Sequence, residues 1–433
     1  MTWTMRSALP FAFFLGFSGC TCSHSSSSAG GEAGASSSAS SSSGEVSNGG
    51  NAIFSAPVAA AHIKGGGIFF GGYVVARSAV ALTRLAPGGL TSWTVDAVTD
   101  IRWSTDADVH VFAAPDGGAY VVARGIRNKK FVREIAAISA DGILRAPAEA
   151  LSGEVCATSD GLASLRQDDA HVHATMRAFG GGAARDLFAV RTEGEHEIVC
   201  GEHAVFAVTH DDAVTLERAG SAPIVLLGEH DVSDNIEEFT AGDDFGVVNV
   251  GGGSISVREA SAQRVSGWRP LTKLPEGGDV VSADADASDI YALYTEDTRD
   301  NSCAGGGSPA RLTAVHAPRP SGDAHTHVLA TLACDSDDGP FFTGFAHKSG
   351  ASKFIVAWPE RRGPKSGEPP ISALAYVVLA GDQVSEVKRV AIDADALVDA
   401  GCDDDACYAG ALTRPVGTDG MVPGPARFVR YPQ

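Results

Sequence analysis

The sequence predicts an all-β fold, a β-propeller of eight (or seven) four-stranded blades, and three observations lead to it. A turn rich in Gly and Asp recurs along the chain, and a short run of β-branched, aromatic or small apolar residues follows each turn. Six of the seven intervals between these turns span about 40 to 51 residues, the length of one four-stranded blade. Long amphipathic helical patterns are absent from the sequence. Because an isolated four-stranded sheet leaves its faces and edges unprotected, a closed ring of such sheets is favoured.

The repeated units are located by their opening turns. In chain order the turns are Gly71-Gly72, Asp116-Gly117-Gly118, Asp160-Gly161, Glu202-His203, Asp243-Asp244, Asp289, Asp338-Gly339 and Asp405-Ala406. The eighth unit has strand sequence for about two outer strands only, so we expect the N-terminal strand, within 52–60, to complete it and close the ring. The segment 391–400 (AIDADALVDA) could form one or two helical turns.

The N-terminus has the layout of a secretory signal peptide. Residues 1–19 contain one basic residue, Arg6, then an apolar stretch of roughly ten residues and small residues before Cys20. The apolar stretch is too short to span a bilayer, which takes about 20 apolar residues. We therefore expect 1–19 to be removed on export.

The sequence Phe17-Ser18-Gly19-Cys20 resembles the lipobox of bacterial lipoproteins, although Phe17 stands where that family usually has leucine. The resemblance implies that Cys20 is lipidated and anchors the chain to the cell envelope. Thr21, in the sorting position and not an aspartate, implies the outer membrane. The alternative is an ordinary secreted protein in which Cys20 and Cys22 pair or stay free.

Composition separates the remainder into a linker and one domain. Residues 20–51 are Ser/Gly-rich and are expected to be a disordered linker, whereas 52–433 is the propeller domain, which we expect to be monomeric. The formal net charge of −20 at pH 7 disfavours nucleic acid and anionic lipid head groups as partners. The basic tracts at 127–130 and 361–365 are expected at solvated loop tips.

Six cysteines fall in the propeller domain, and an even number in an exported chain indicates disulfides. Cys156 and Cys200 occupy nearly the same place in successive units, so we expect them to pair between neighbouring blades. Cys402 could pair with Cys407, leaving Cys303 with Cys334, but a Cys334–Cys402 pair is an open alternative. The paired Cys-x-x-Cys spacing of zinc sites is absent.

Two kinds of side-chain cluster could bind metal. His171 with His173, and His325 with His327, stand two apart and would share one face of a strand, but no third ligand is indicated and exposed histidines are the favoured interpretation. Acidic clusters occur at 284–289, 335–339 and 393–405. Calcium could bind there, although none follows the EF-hand order, and turn capping explains them equally well. No metal site is therefore assigned.

Catalytic motifs are missing from the sequence: it has no Gly-x-Ser-x-Gly, no His-Glu-x-x-His and no phosphate-binding glycine loop before a helix. If the ring has an axial pocket, His62, His110 and Glu238 could face it. The favoured hypothesis is a non-catalytic binding or scaffold module that contacts an envelope protein or a glycan. The alternative is a propeller-type hydrolase or lyase, and it requires three or more charged side chains to converge at one end of the ring.

Overall fold

A computed structural model of the 433-residue chain describes residues 55–432 with internal gaps. The gaps are 64–65, 88–89, 105–106, 169–170, 180–181, 191–193, 212, 229–235, 252, 262–263, 276–277, 298–309, 333–344, 350–352, 362–370, 395, 403–405 and 413–425. The described residues form 32 strands and one short 3-10 helix, Val75–Arg77. None of their helical structure could cross a membrane. The predicted signal peptide, Cys20 and the predicted linker lie outside the described residues.

The first four sheets follow one another along the chain, and each consists of four antiparallel strands. The first contains β1 (Ser55–His62), β2 (Ile68–Val74), β3 (Ala79–Leu85) and β4 (Thr91–Thr99). The second contains β5 (Asp108–Ala113), β6 (Ala119–Arg127), β7 (Lys130–Ile138) and β8 (Glu149–Ala150). The third contains β9 (Val155–Ala157), β10 (Gly161–Gln167), β11 (Val172–Ala178) and β12 (Arg185–Val190). The fourth contains β13 (Glu195–Cys200), β14 (Val205–His210), β15 (Val214–Arg218) and β16 (Ile224–Leu227).

The last four sheets continue the pattern with variations in strand number. The fifth contains β17 (Ile236–Ala241), β18 (Asp244–Gly251), β19 (Ser254–Ala260) and β20 (Arg269–Lys273). The sixth contains β21 (Asp279–Ala285), β22 (Asp289–Asp297), β23 (Ala310–Pro318) and β24 (His325–Leu332). The seventh contains β25 (Phe345–Ser349), β26 (Lys353–Arg361), β27 (Ile371–Ala380), β28 (Gln383–Val384) and β29 (Lys388–Ala394). The eighth contains β30 (Ala396–Cys402), β31 (Ala406–Leu412) and β32 (Ala426–Pro432).

The sheets form a ring in which the first strand of each sheet lies innermost. Contacts between first strands join β1 to β5, β9 to β13, β17 to β21, β21 to β25, β25 to β30, and β30 back to β1. The β-propeller is confirmed: seven blades have four strands or more, and an eighth sheet has three described strands. Buried apolar side chains fill the spaces between neighbouring sheets. Packing between sheets therefore supplies the core.

The prediction that the N-terminal strand completes the eighth sheet is wrong. β1 pairs with β2, with Val58 opposite Gly72, and is the inner strand of its own sheet. The eighth sheet already has an inner strand, because the segment 391–400, for which one or two helical turns were considered, forms the end of β29 and most of β30. The last and first sheets meet by side-chain packing instead, as in the edge contact of Phe70 with Tyr408, whose ring centroids are 5.6 Å apart.

Most described turns that were predicted to open a unit do so. Those at 116–118, 160–161, 202–203 and 243–244 join the first and second strands of sheets two to five. The exception is Gly71-Gly72, which lies inside β2. A Cβ at Gly71 would come within 2.5 Å of Val111 Cγ2 on β5, so this glycine allows two sheets to approach closely. The turn at 338–339 lies outside the described residues.

Two predicted disulfides are confirmed. Cys156 on β9 is bonded to Cys200 on β13, which joins the inner strands of the third and fourth sheets. Cys402 is bonded to Cys407 across the turn between β30 and β31, which removes the Cys334–Cys402 alternative. Cys303 and Cys334 lie outside the described residues, so their pairing stays a prediction.

Candidate functional site

Three ionisable side chains meet between the fourth and fifth sheets. Glu197 is the third residue of β13, His210 is the last residue of β14, and Glu238 is the third residue of β17. They lie at the end of the ring where the first strands begin. His210 pairs with Glu195 across the ladder, so it is on the same face of the sheet as Glu197.

Strand alternation explains why Glu197 points at the fifth sheet. Ile198 packs with residues of the third sheet, and Cys200 is bonded to that sheet. Val199, on the opposite face, packs with Phe245 of the fifth sheet. Glu197 shares the face of Val199. Its carboxyl group therefore continues an interface that is otherwise filled by apolar side chains.

The three side chains are close together and poorly solvated. His210 Nε2 lies 3.8 Å from Glu197 Oε2 and 3.5 Å from Glu238 Oε1. Glu197 is 3% exposed and Glu238 is 5% exposed. Within the described part of the chain, no group hydrogen-bonds to either carboxylate oxygen of Glu238 or to Glu197 Oε2. These are orphaned buried acceptors, which are rare in folded proteins because each costs its full desolvation energy.

Burial and nearby negative charges shift the pKa values of both carboxyl groups in the same direction. Burial raises the pKa of Glu197 to about 8, and the negative charge of Glu154 adds to this shift. Burial also raises the pKa of Glu238 to about 8, with the charge of Glu197 adding to the shift and His210 opposing it. Both carboxyl groups therefore favour the neutral form, which a buried acid adopts when no cation compensates its charge.

Charged residues continue from this cluster along the second and third sheets. Arg133 on β7 donates hydrogen bonds to Asp108 Oδ2 at 3.1 Å and to the carbonyl oxygen of Gly153 at 2.5 Å. Burial raises the pKa of Glu154, which directly precedes β9, and Arg133 opposes that shift. We call the following residues the charged arc: Asp108, Arg124, Arg133, Glu154, Glu197, His210 and Glu238.

A small pocket opens within the charged arc, between the second and third sheets. Its volume is about 270 Å³, and its lining residues are Arg124, Phe131, Val132, Arg133, Gly153 and Glu154. The pocket combines both signs of charge with Phe131, which is 56% exposed. This composition suits a short polar group that presents one apolar face.

The three residues that were predicted to face an axial pocket lie in three different places in the ring. Glu238 joins the cluster described above. His110 is on β5 beside the arc, with Nε2 3.9 Å from Asp108 Oδ1, and burial lowers its pKa against the opposing effect of Asp108. His62 is exposed and is the last residue of β1, so it lies toward the opposite end of the ring.

Glu197 and His210 were missed from the sequence, although one signal was available. Glu197 precedes the turn residue Glu202 by five positions, and Glu238 precedes the turn residue Asp243 by five positions. An acidic residue that recurs in phase in successive units would occupy the same place in neighbouring blades. His210 has no such signal, because its position depends on the strand register.

The histidine pairs lie away from the inner strands, at the start of β11 and on β24. His171 and His173 group with Asp168, and their ligand atoms lie within 4.8 Å of one another at an accessible surface. Asp168 also accepts a hydrogen bond from the backbone N–H of His171 at 2.9 Å, an ordinary turn contact. His325 is exposed and His327 is half-buried on β24, the outermost strand of its sheet.

The described acidic cluster, 284–289, caps a turn. Asp286 Oδ1 accepts hydrogen bonds from the backbone N–H groups of Ser288 at 2.7 Å and Asp289 at 2.8 Å. Asp289 Oδ1 lies 2.6 Å from Nε2 of the buried His316. The cluster at 335–339 lies outside the described residues, and so do 395 and 403–405 of the cluster at 393–405.

Comparison with known proteins shows similarity in fold. No family model and no curated protein matches the chain. Among solved structures, a prolyl endopeptidase is 12% identical with a TM-score of 0.49, and the match covers 83% of this chain and 51% of that one. A polysaccharide lyase is 10% identical with a TM-score of 0.42, covering 78% of this chain and 91% of that one.

A further match is the β-propeller domain of a protease from Pyrococcus furiosus. It is 8% identical with a TM-score of 0.41, and the match covers 77% of this chain and 95% of that one. The chain spans about half the length of the prolyl endopeptidase that it matches. At such low identities the comparisons concern architecture alone, and the chain is similar to β-propeller proteins.

Proposed function

We propose that this chain is a bacterial lipoprotein, anchored to the cell envelope through Cys20, whose β-propeller binds an extracytoplasmic envelope protein or glycan without catalysing a reaction. The anchor is supported by the lipobox-like sequence before Cys20 and by the Ser/Gly-rich linker 20–51. The binding role rests on one observation: charged side chains from four neighbouring sheets converge on one end of the ring.

Burial distinguishes this convergence from ordinary surface charge. A net charge of −20 supports solubility through exposed carboxylates, and such groups need no special position. Glu197 and Glu238 are almost completely buried, so they contribute little to solubility and carry a desolvation cost. Carboxyl groups that bear such a cost are typical of functional sites, where strongly perturbed ionisable side chains cluster.

The anchor is tested by replacing the cysteine that would carry the lipid. We expect the wild-type chain and Cys22→Ser to partition into detergent with the membrane fraction when expressed in a bacterium, and Cys20→Ser to lose that partitioning. Mass spectrometry of the mature N-terminus gives the covalent state directly. An unmodified Cys20 in the mature chain would exclude the anchor and leave a secreted protein.

The binding site is tested by capturing partners from intact envelopes with the purified chain and identifying them by mass spectrometry. A partner that binds the pocket should be retained by the wild type and lost by the double variant Arg124→Gln, Glu154→Gln. Glu202→Gln is the matched control, because Glu202 is exposed and lies in a turn at the opposite end of the ring. Equal capture by both variants would place the partner elsewhere on the ring.

A hydrolase or lyase at the same end of the ring is the second candidate. It meets the condition set for it in the sequence analysis, because Glu197, His210 and Glu238 lie within 4.8 Å of one another, and a pair of carboxyl groups with an imidazole can exchange protons with a bound substrate. Incubation with envelope glycans and peptides, followed by assays for new reducing ends, unsaturated sugars or free amines, tests it. Activity that disappears in Glu238→Gln would support an enzyme, and absence of any product would leave the binding role.

A further inference from the structure

We propose that Glu197, His210 and Glu238 bind a divalent transition-metal ion of the zinc type between the fourth and fifth sheets. This goes beyond the partner-binding role, because the metal site does not depend on the lipid anchor or on a partner in the pocket.

The first argument is the kind and number of donor atoms. One imidazole nitrogen and two carboxylate oxygens, each from a different side chain, lie within 4.8 Å of one another. Zinc is commonly bound by histidine and carboxylate ligands, and three protein ligands leave a fourth position for water or for a substrate group. Calcium prefers six to eight oxygen ligands, so a set that includes imidazole favours a transition metal.

The second argument is distance. In a tetrahedral site with metal–ligand bonds of about 2.1 Å, neighbouring donor atoms are about 3.4 Å apart. The separations from His210 Nε2 are 3.5 Å to Glu238 Oε1 and 3.8 Å to Glu197 Oε2. Small side-chain movements would bring all three atoms to a common ion, and the strands that hold them need not move.

The third argument is the state of Glu238. Its side chain is 5% exposed, its Oε1 faces His210, and neither of its oxygens has a hydrogen-bond donor among the described residues. A buried carboxyl group of this kind needs a cationic partner if it is to be ionised. His210 is farther from the two carboxylates than the usual 2.7–3.2 Å of a hydrogen bond, whereas a doubly charged ion could neutralise both.

The backbone places the ligands reproducibly. Glu197 is opposite Val208 in the ladder of the fourth sheet, and Glu238 is opposite Val247 in the fifth sheet. Apolar residues of both sheets pack directly beside the site and restrict the access of water. A bound ion would join the fourth sheet to the fifth, as the Cys156–Cys200 disulfide joins the third to the fourth.

The test uses the purified, fully oxidised chain without a histidine tag, stripped with a chelator and titrated calorimetrically with Zn²⁺ alone. We expect one Zn²⁺ per chain at this site and affinity at least ~100-fold weaker in Glu238→Gln and in Glu197→Gln. His173→Gln is the matched control, since it alters the other histidine–aspartate group, which lies between β10 and β11 of the third sheet. It should leave this affinity unchanged.

Three results would overturn the proposal. They are the absence of Zn²⁺ binding by the wild type, loss of binding in His173→Gln but not in Glu238→Gln, and Ca²⁺ affinity equal to that for Zn²⁺. Circular dichroism checks that each variant is folded. If a variant does not fold, the visible spectrum of the Co²⁺-loaded wild type decides the matter: tetrahedral bands support the site, and an octahedral spectrum contradicts it. Partner capture by metal-free chain tests the binding role separately.

Discussion

The disulfide between Cys156 and Cys200 should make a large and calculable contribution to stability. The bonded residues are 44 positions apart, so the bond closes a long loop in the unfolded chain. The chain-entropy relation gives about 4 kcal/mol for a loop of this length. The bond between Cys402 and Cys407 spans 5 positions, and the same relation gives about 2 kcal/mol. Replacing each pair by alanine should therefore lower the free energy of unfolding by unequal amounts.

Urea unfolding of the oxidised proteins, followed by circular dichroism, measures both losses. We expect Cys156→Ala with Cys200→Ala to lose about 2 kcal/mol more than Cys402→Ala with Cys407→Ala, because the difference depends only on loop length. Repeating the measurement under reducing conditions is the control and should abolish the difference from wild type. Equal losses, or a larger loss for the second pair, would refute the chain-entropy explanation.

The same variants test whether the disulfide positions the charged arc. Glu154 is two residues before Cys156, and Glu197 is three residues before Cys200, so the bond fixes the two inner strands beside these carboxyl groups. We expect Zn²⁺ affinity to fall when this disulfide is removed and to be unchanged when the Cys402–Cys407 bond is removed. An unchanged affinity in both would show that sheet packing alone holds the site.

Three further predictions concern contacts away from the site. In urea unfolding, Gly67→Ala should lower the free energy of unfolding by over about 1 kcal/mol more than Gly182→Ala does. Both glycines have positive φ, but only at Gly67 would a Cβ lie 2.4 Å from a carbonyl oxygen. Equal losses would contradict this. Arg319→Leu should lower the free energy of unfolding by about 3 kcal/mol, since Arg319 is buried and paired with Glu259 and Asp244. Adding Glu259→Leu should recover part of this loss, and no recovery would show that the pairing is unimportant. The hydrogen bond from His316 lowers the pKa of Asp382 below its ordinary value of 3.8. This contact therefore stabilises the fold above pH 3.8, and the stabilisation is lost as the pH falls through the folded pKa. In a plot of melting temperature against pH, Asp382→Asn should weaken the fall at acidic pH, and an unchanged fall would exclude the contact.

The fold could be predicted because its determinants are local and repeated. Turn residues before short apolar runs specify one sheet, and the regular spacing specifies that the sheets pack on equivalent neighbours. Cys156 and Cys200 could be paired for the same reason, since they stand in phase in successive units. The errors came from ambiguous local signals. Gly71 resembles a turn residue but relieves crowding between two sheets.

The site could be predicted only in part, because it is formed between blades. Glu238 was identified from its place near an inner strand, but its partners come from a different sheet. Which side chains meet there depends on the register of β13 with β14 and on the face that each strand turns to its neighbour. A single sequence does not specify this register. His62 shows the limit: it is on an inner strand, but at the wrong end.

The fold itself does not require Glu197 and Glu238. The interface around them is filled by apolar residues such as Val199, Val208 and Val247, and this packing could extend over both positions. Replacing a buried, poorly compensated ionic cluster by apolar residues is often neutral or stabilising by about 1–4 kcal/mol. We therefore expect Glu197→Met with Glu238→Met to be at least as stable as the metal-free wild type in urea unfolding, while Zn²⁺ binding is lost. A strongly destabilised double variant would show that the two carboxyl groups are structural, and it would remove the energetic reason for regarding them as a binding site.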